Sequence, residues 1–277
     1  MQIDSFVASI RTLPSLPAVL VYLTETMGKD TCSIDELAAK LSQDQALTAK
    51  VLRLANSSFY GIPRQVESVG DAVAILGLRT TRSMVMAAAL TNTIAHDRCQ
   101  GFSFKAFWRH SMAVAVCARD IAGQRELDEE VAFTAGLLHD IGRLALSALQ
   151  PEVFMQTLAY RHEHDCLVTE AEQAVLHTDH AALGGLIAEH WRFSPQLVKA
   201  ITDHHFPPDD GLPSIGAVIH VADNIAHALD IGATSEDMVP QLNLMCWSAL
   251  KLDEPTCRHV FEKLETQLDA LCGALLN

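Results

Sequence analysis

Apolar residues in this chain recur three and four positions apart, and that spacing commits most of it to helices. In IDELAAKLSQD, Ile34, Leu37, Ala38 and Leu41 share one helical face. Ser33 followed by Glu36 has the form of a capping box, which would start this helix. The next segment, ALTAKVLRLANSSF, carries the stripe Leu47, Val51, Leu54 and Ala55, and Gly61 and Pro63 stop it. SVGDAVAILG, RTTRSMVMAAALTNTIAH and FKAFWRHSMAVAVCARDIAG extend the pattern. LDEEVAFTAGLLHDIGRLALSAL follows, with acidic residues in its first turn where the helix dipole favours them. Pro151, Pro195 and the run FPPDDGLP (206–213) punctuate later helices. Alternating strand patterns are scarce. The expected fold class is all-α. The polar segment HDRCQGFS (96–103) suggests a boundary between an N-terminal lobe, 1–98, and a second lobe, 99–277.

Composition narrows the function. With 277 residues, 49% hydrophobic and 19% charged, the chain can bury a sizeable core. Its net charge of −14 argues against nonspecific nucleic-acid binding, which needs a basic face. The seven cysteines are odd in number and form no CxxC. A disulfide framework or thiolate zinc site is therefore not expected, and a reducing cytoplasm fits best. The N-terminus MQIDSFVASIRTLPSLP lacks the pattern of a signal peptide. No apolar stretch reaches the ~20 residues needed to span a bilayer, so no membrane partner is expected.

The chemistry concentrates in histidine and aspartate. AGLLHDIGR (135–143) places His139 and Asp140 side by side at the end of an apolar helical run. Burying a charge is costly unless it is paired or bound to a metal. Either the two are partners in the core, or together they hold something. His110 lies in FWRHSMAVA, His177 and His180 in VLHTDHAALGG, His204 and His205 in ITDHHFPP, and Asp223 in VIHVADNIAH. Imidazole and carboxylate together suit iron, zinc, nickel or manganese. Taken singly, each of these histidines is more simply a hydrogen-bonded core or surface imidazole. His96, His162, His164, His190, His220, His227 and His259 are left with that reading.

The ordered set H…HD…H…HH…D resembles the HD superfamily of metal-dependent phosphohydrolases and, within it, the HD-GYP arrangement. The blocks LPSLPAVLVYL, SIDELAAKLSQDQALTAKVLRLANSSFYG and VGDAVAILGLRTTRSMVM resemble the HDOD family of signalling proteins. DHAALGGLIAEHWRFSPQLVKAITDHHFPP resembles the later part of an HDOD domain, so the likeness runs over roughly residues 10 to 230. It implies a two-lobed, all-helical architecture whose C-terminal lobe is built like the HD fold. By position, His110, His139, Asp140 and Asp223 resemble the ligands of one metal. Asp140 would bridge to a second, held by His180, His204 and His205. His180 is preferred to His177 because Gly184 matches the family's H-xxx-G spacing. Arg143 stands where HD-GYP proteins carry lysine, and the loop FPPDDGLP has no clean GYP, which weakens the case for cyclic-di-GMP hydrolysis. Arg143 would still contact phosphate.

The resemblance leaves two expectations open. One is a regulatory module that binds a phosphate-bearing small molecule or a protein partner. The other is a phosphohydrolase in which Asp140 and Arg143 carry the chemistry, with two metals activating water and polarising phosphoryl oxygens. A helical interaction protein whose histidines merely pack is a third. Residues 245–277 match nothing informative.

Overall fold

The computed structural model describes Phe6 and residues 33–57, 60–63, 65–78, 80–81, 84–85, 99, 101–232 and 238–276. Every regular element among them is helical. The LPSLP block, most of RTTRSMVMAAALTNTIAH and half of HDRCQGFS lie outside the described residues.

After Phe6, the described residues first form three helices, α1 (Ile34–Leu41), α2 (Gln45–Ala55) and α3 (Val69–Leu76), all in mutual contact. The Ser33 hydroxyl accepts the Glu36 N–H at 3.0 Å, satisfying a donor that the first turn of α1 would otherwise leave unpaired. Leu37, Leu41, Leu47, Val51 and Leu54 are buried, as their spacing requires. After α2, Asn56 clasps the returning backbone. Its side chain donates to the Val66 carbonyl at 2.8 Å and accepts the Val66 N–H at 2.7 Å.

The second group is organised around α4 (Phe104–Gln124), which is packed by α5 (Glu129–Leu138), α11 (Ile215–Ala228) and α13 (Glu254–Leu276). Gly136 explains how close α5 comes. A Cβ there would lie 2.7 Å from the Ala115 Cα. α6 (Ile141–Leu149) continues from α5 but is a separate helix. LDEEVAFTAGLLHDIGRLALSAL, one continuous run by composition, divides at His139 and Asp140. α6 packs on α9 (His180–His190), and Gly142 sets that approach, since a Cβ there would meet the His180 carbonyl oxygen at 2.0 Å.

α7 (Pro151–His164) and α8 (Val168–Leu176) pair with each other, and α10 (Pro195–Asp203) fits between α9 and α11. α12 (Leu244–Ala249) is short and lies against α11. α13 touches α2 as well as α4, so the chain's last helix joins its first part to the centre. Among the described residues no helix is long and apolar enough to cross a membrane.

Candidate metal centre

Four helix ends and two helix faces meet at one point. His139 caps the end of α5 and Asp140 stands at the start of α6. His180 opens α9, and His204 and His205 follow α10. His110 comes from the face of α4 and Asp223 from the face of α11. Asp140 makes no capping bond to α6, so its carboxylate is left to the cluster.

The distances are short. His180 Nε2 lies 3.0 Å from Asp140 Oδ1, with His139 Nε2 at 3.6 Å and His204 Nε2 at 3.8 Å from the same oxygen. His110 Nε2 is 3.0 Å and His139 Nε2 3.6 Å from Asp223 Oδ1. His205 Nε2 is 2.8 Å from His180 Nε2. Asp140, His180, His204 and His205 offer donor atoms that all lie within 4.8 Å of one another. His110, His139 and Asp140 form a second such group, and His110, Asp223 and His227 a third.

The other ring nitrogens fix how the imidazoles point. His139 Nδ1 lies 2.7 Å from the Gly136 carbonyl and His204 Nδ1 2.7 Å from the Ile201 carbonyl. A carbonyl only accepts, so each Nδ1 carries a proton and each Nε2 faces the cluster, where the neutral ring offers a lone pair. Both of these Nε2 atoms are buried without a hydrogen-bond partner, as is Asp223 Oδ2. Buried polar atoms are rarely left so. His180 is held by Glu172, whose carboxylate lies 2.6 Å from Nδ1 and accepts the His180 backbone N–H at 2.9 Å. Carboxylate and carbonyl partners of this kind orient metal-binding histidines. A neutral nitrogen donor aimed at a shared carboxylate is what a divalent ion requires, so the buried clusters can hold a metal.

In the ion-free cluster, charged imidazole stands where a cation would: burial opposes the charged form of His139, but Asp140 and Asp223 outweigh that and raise it. Burial alone would raise the Asp140 carboxyl, but His139, His180 and Arg143 hold it well below the usual carboxylate range. Asp223 is likewise held low against its burial by His227, His110 and His139. Burial, with His139 and His180 nearby, pushes His204 down to about 3. His180 goes the other way. Burial opposes its charged form, but Glu172 and Asp140 outweigh that and push it up to about 10.

All seven candidate ligands therefore lie in one buried cluster, and Arg143 Nη1 donates to Asp140 Oδ2 at 3.2 Å beside it. His177 does not join them. It is exposed and ends α8 in the left-handed conformation, φ 59°. Two neighbours were missed by the sequence reading. His227 Nε2 lies 3.4 Å from Asp223 Oδ1, and its only sequence signal is the i,i+4 spacing on α11. Glu172 sits on α8, and nothing in its local sequence marks it as the partner of a residue on α9. His220 is buried too but belongs elsewhere. Its Nδ1 donates to the His204 carbonyl at 2.8 Å and its Nε2 accepts the Asn243 N–H at 2.8 Å.

A cavity of about 410 Å³ adjoins the cluster. His110, Asp140, Arg143, Arg161 and His227 contribute polar and charged lining, and Phe102, Phe107, Phe154, Met155 and Leu158 apolar lining. A much smaller space of about 20 Å³ shares Asp140, Arg143, Arg161 and His227 with it and reaches His180, His205 and Asp223.

The model of the HDOD domain family matches residues 13–207, well over half of the chain. The chain belongs to the HDOD family. Solved HDOD-like structures cover it almost end to end. A Geobacter sulfurreducens protein, described as an HDOD domain protein of unknown function, is 25% identical over 99% of this chain and 98% of its own, with a TM-score of 0.74. A Shewanella amazonensis SB2B protein, provisionally named a phosphohydrolase, is 28% identical over 98% of both chains, with a TM-score of 0.76. An uncharacterized protein of Treponema pallidum (strain Nichols) is 22% identical over 238 residues, 84% of this chain. This HDOD chain spans only 45% of that relative's length.

Proposed function

We propose that this HDOD protein is a signal-transduction module that retains an HD-type metal site and uses it to hold a phosphate-bearing ligand. The observation that carries the reading is the pair of buried, unpartnered Nε2 atoms of His139 and His204, both turned toward Asp140. Buried ring nitrogens are rarely left without a partner. In this reading His110, His139, Asp140 and Asp223 hold one divalent ion. Asp140, His180, His204 and His205 hold a second. The donor set suits iron, zinc, nickel or manganese. Metal ions bound here would supply Lewis acidity toward phosphoryl oxygens. The chain's own groups do the rest. Glu172 orients His180, the carbonyls of Gly136 and Ile201 orient His139 and His204, and Arg143 offers its charge to phosphate beside Asp140. The acidic net charge and the free cysteines support a small-molecule or protein partner, rather than nucleic acid, and a cytoplasmic setting.

A second reading, a metal-dependent phosphohydrolase acting on phosphoesters, nucleotides or cyclic nucleotides, is favoured by one observation. Arg143 lies against Asp140 in the wall of a cavity, where it would neutralise charge developing on phosphate. The name of the 28% identical Shewanella protein points the same way.

Elemental analysis of protein purified without a polyhistidine tag, beside Asp140→Ala, tests the metal. Near-stoichiometric metal that falls in the variant is expected. No metal, even after anaerobic reconstitution, would remove the metal from the proposal. A phosphoester panel on the loaded protein then separates the two readings. Hydrolysis is sunk by no turnover, or by turnover that survives Asp140→Ala.

A further inference from the structure

Holding metal ions does not account for the cavity beside the cluster. Arg161 is only 6% exposed, and its guanidinium stays charged at any relevant pH. Its Nε donates to the Cys166 carbonyl at 3.3 Å. Arg161 and Arg143 line both the larger cavity and the small space over His180 and His205, so they stand where the two meet. Two planar guanidinium forks beside a metal-binding cluster suit a phosphoryl group, which arginine grips in bidentate fashion.

The remaining lining is of the opposite kind. Phe102 centres an aromatic group, with ring centroids 5.5 Å from Phe107 and 5.6 Å from Phe154. Met155 and Leu158 extend the surface along α7. Leu158 and Arg161 are three residues apart on that helix, so one face supplies both apolar wall and cation. Ser103 and His162 are the remaining polar side chains among the described lining residues. About 410 Å³ lies in the range of small-molecule pockets.

We infer that Arg161 binds phosphate together with Arg143, and that the ligand is a small phosphate ester whose other end is an apolar group seated against the Phe102 cluster. The inference rests on the phosphate-ligand reading above and names its chemical class.

Titration calorimetry on the full chain, with metal content measured on the same sample, tests it. Phenylphosphonate and methylphosphonate are the probes. They share a head group, differ by the apolar group and cannot be hydrolysed. Phenylphosphonate is expected to bind at least about tenfold tighter, the gain from burying one aryl group. Arg161→Gln is expected to weaken both probes by about tenfold or more, and Leu158→Gln to shrink the ratio between them at least about threefold. Thermal melts establish that each variant folds. Should Arg161→Gln not fold, Arg161→Lys replaces it, keeping charge but losing the fork, with a loss of about threefold or more expected. Equal affinity for the two probes, an Arg161 variant that binds like the parent, or no binding of either probe overturns the inference. Metal-loaded protein that gives any of these results leaves the metal site standing. A metal-free sample that still prefers phenylphosphonate keeps this inference and removes the metal from it.

Discussion

His204 and His220 are both buried, and each gives its Nδ1 proton to a backbone carbonyl, yet their second nitrogens have opposite fates. His220 Nε2 accepts the Asn243 N–H and so ties the segment before α12 to α11. His204 Nε2, like that of His139, faces carboxylate oxygen at a distance too long for a hydrogen bond. The first arrangement is complete without a ligand and the second is not. Burial and residue type are the same in both regions. What separates a packing histidine from a candidate metal ligand is whether the inward nitrogen already has a donor.

The largest effect that would test this contrast is on metal content. Replacing His139 and His204 together by alanine is expected to abolish bound metal in elemental analysis. A double variant that keeps its full complement would break the distinction. Glu172→Gln removes the carboxylate that orients His180 while keeping its shape. Metal affinity measured by chelator competition should fall about 10- to 100-fold, with far-UV circular dichroism unchanged. His220→Leu should do the reverse, lowering unfolding free energy by about 1–3 kcal/mol through an unsatisfied Asn243 N–H, with metal content intact.

The smallest effect concerns pH in the metal-free protein. His204 is held down to about 3 in the fold, against an unfolded value of about 6.5. Below pH ~6.5 the unfolded chain takes up a proton that the folded chain refuses, so stability falls with pH. From pH 6.5 to 5 this group contributes a loss of about 2 kcal/mol. His180, pushed up to about 10, favours the fold fully below ~6.5 and loses that contribution as pH rises through 10, so it does not alter the acid slope. Denaturant titrations should show a shallower acid slope in His204→Gln than in the parent. Identical slopes would contradict the lowering of His204 by burial.

Much of the fold was legible because it is local. Ser33 and the Leu37–Leu41 stripe mark α1, and the apolar periodicity marks α2, α3 and α4. The end of α5 at His139 and Asp140 was legible as the end of an apolar run, but the immediate restart as α6 was not, because no glycine or proline stands between the two helices. The chain turns at His139 and Asp140, ordinary residues whose side chains are both committed to the cluster. The convergence of His110, His180, His204, His205 and Asp223 came from family order rather than spacing, since no pair of helices announces its crossing in sequence. Glu172 was invisible for the same reason, since its partner His180 stands on another helix. His227 shares α11 with Asp223, and the i,i+4 spacing alone did not set it apart from a packing histidine.

The break between α5 and α6 also makes this stretch intolerant of a change in length. His139 and Asp140 have no spacer between or around them. Gly136 seats the helix before them on Ala115, and Gly142 seats the helix after them on His180. Adding or deleting one residue between those two glycines would turn everything beyond it by about 100°. No side-chain rotation recovers that. The apolar positions of AGLLHDIGR can drift among similar volumes, but the count of residues from Gly136 to Gly142 cannot drift at all.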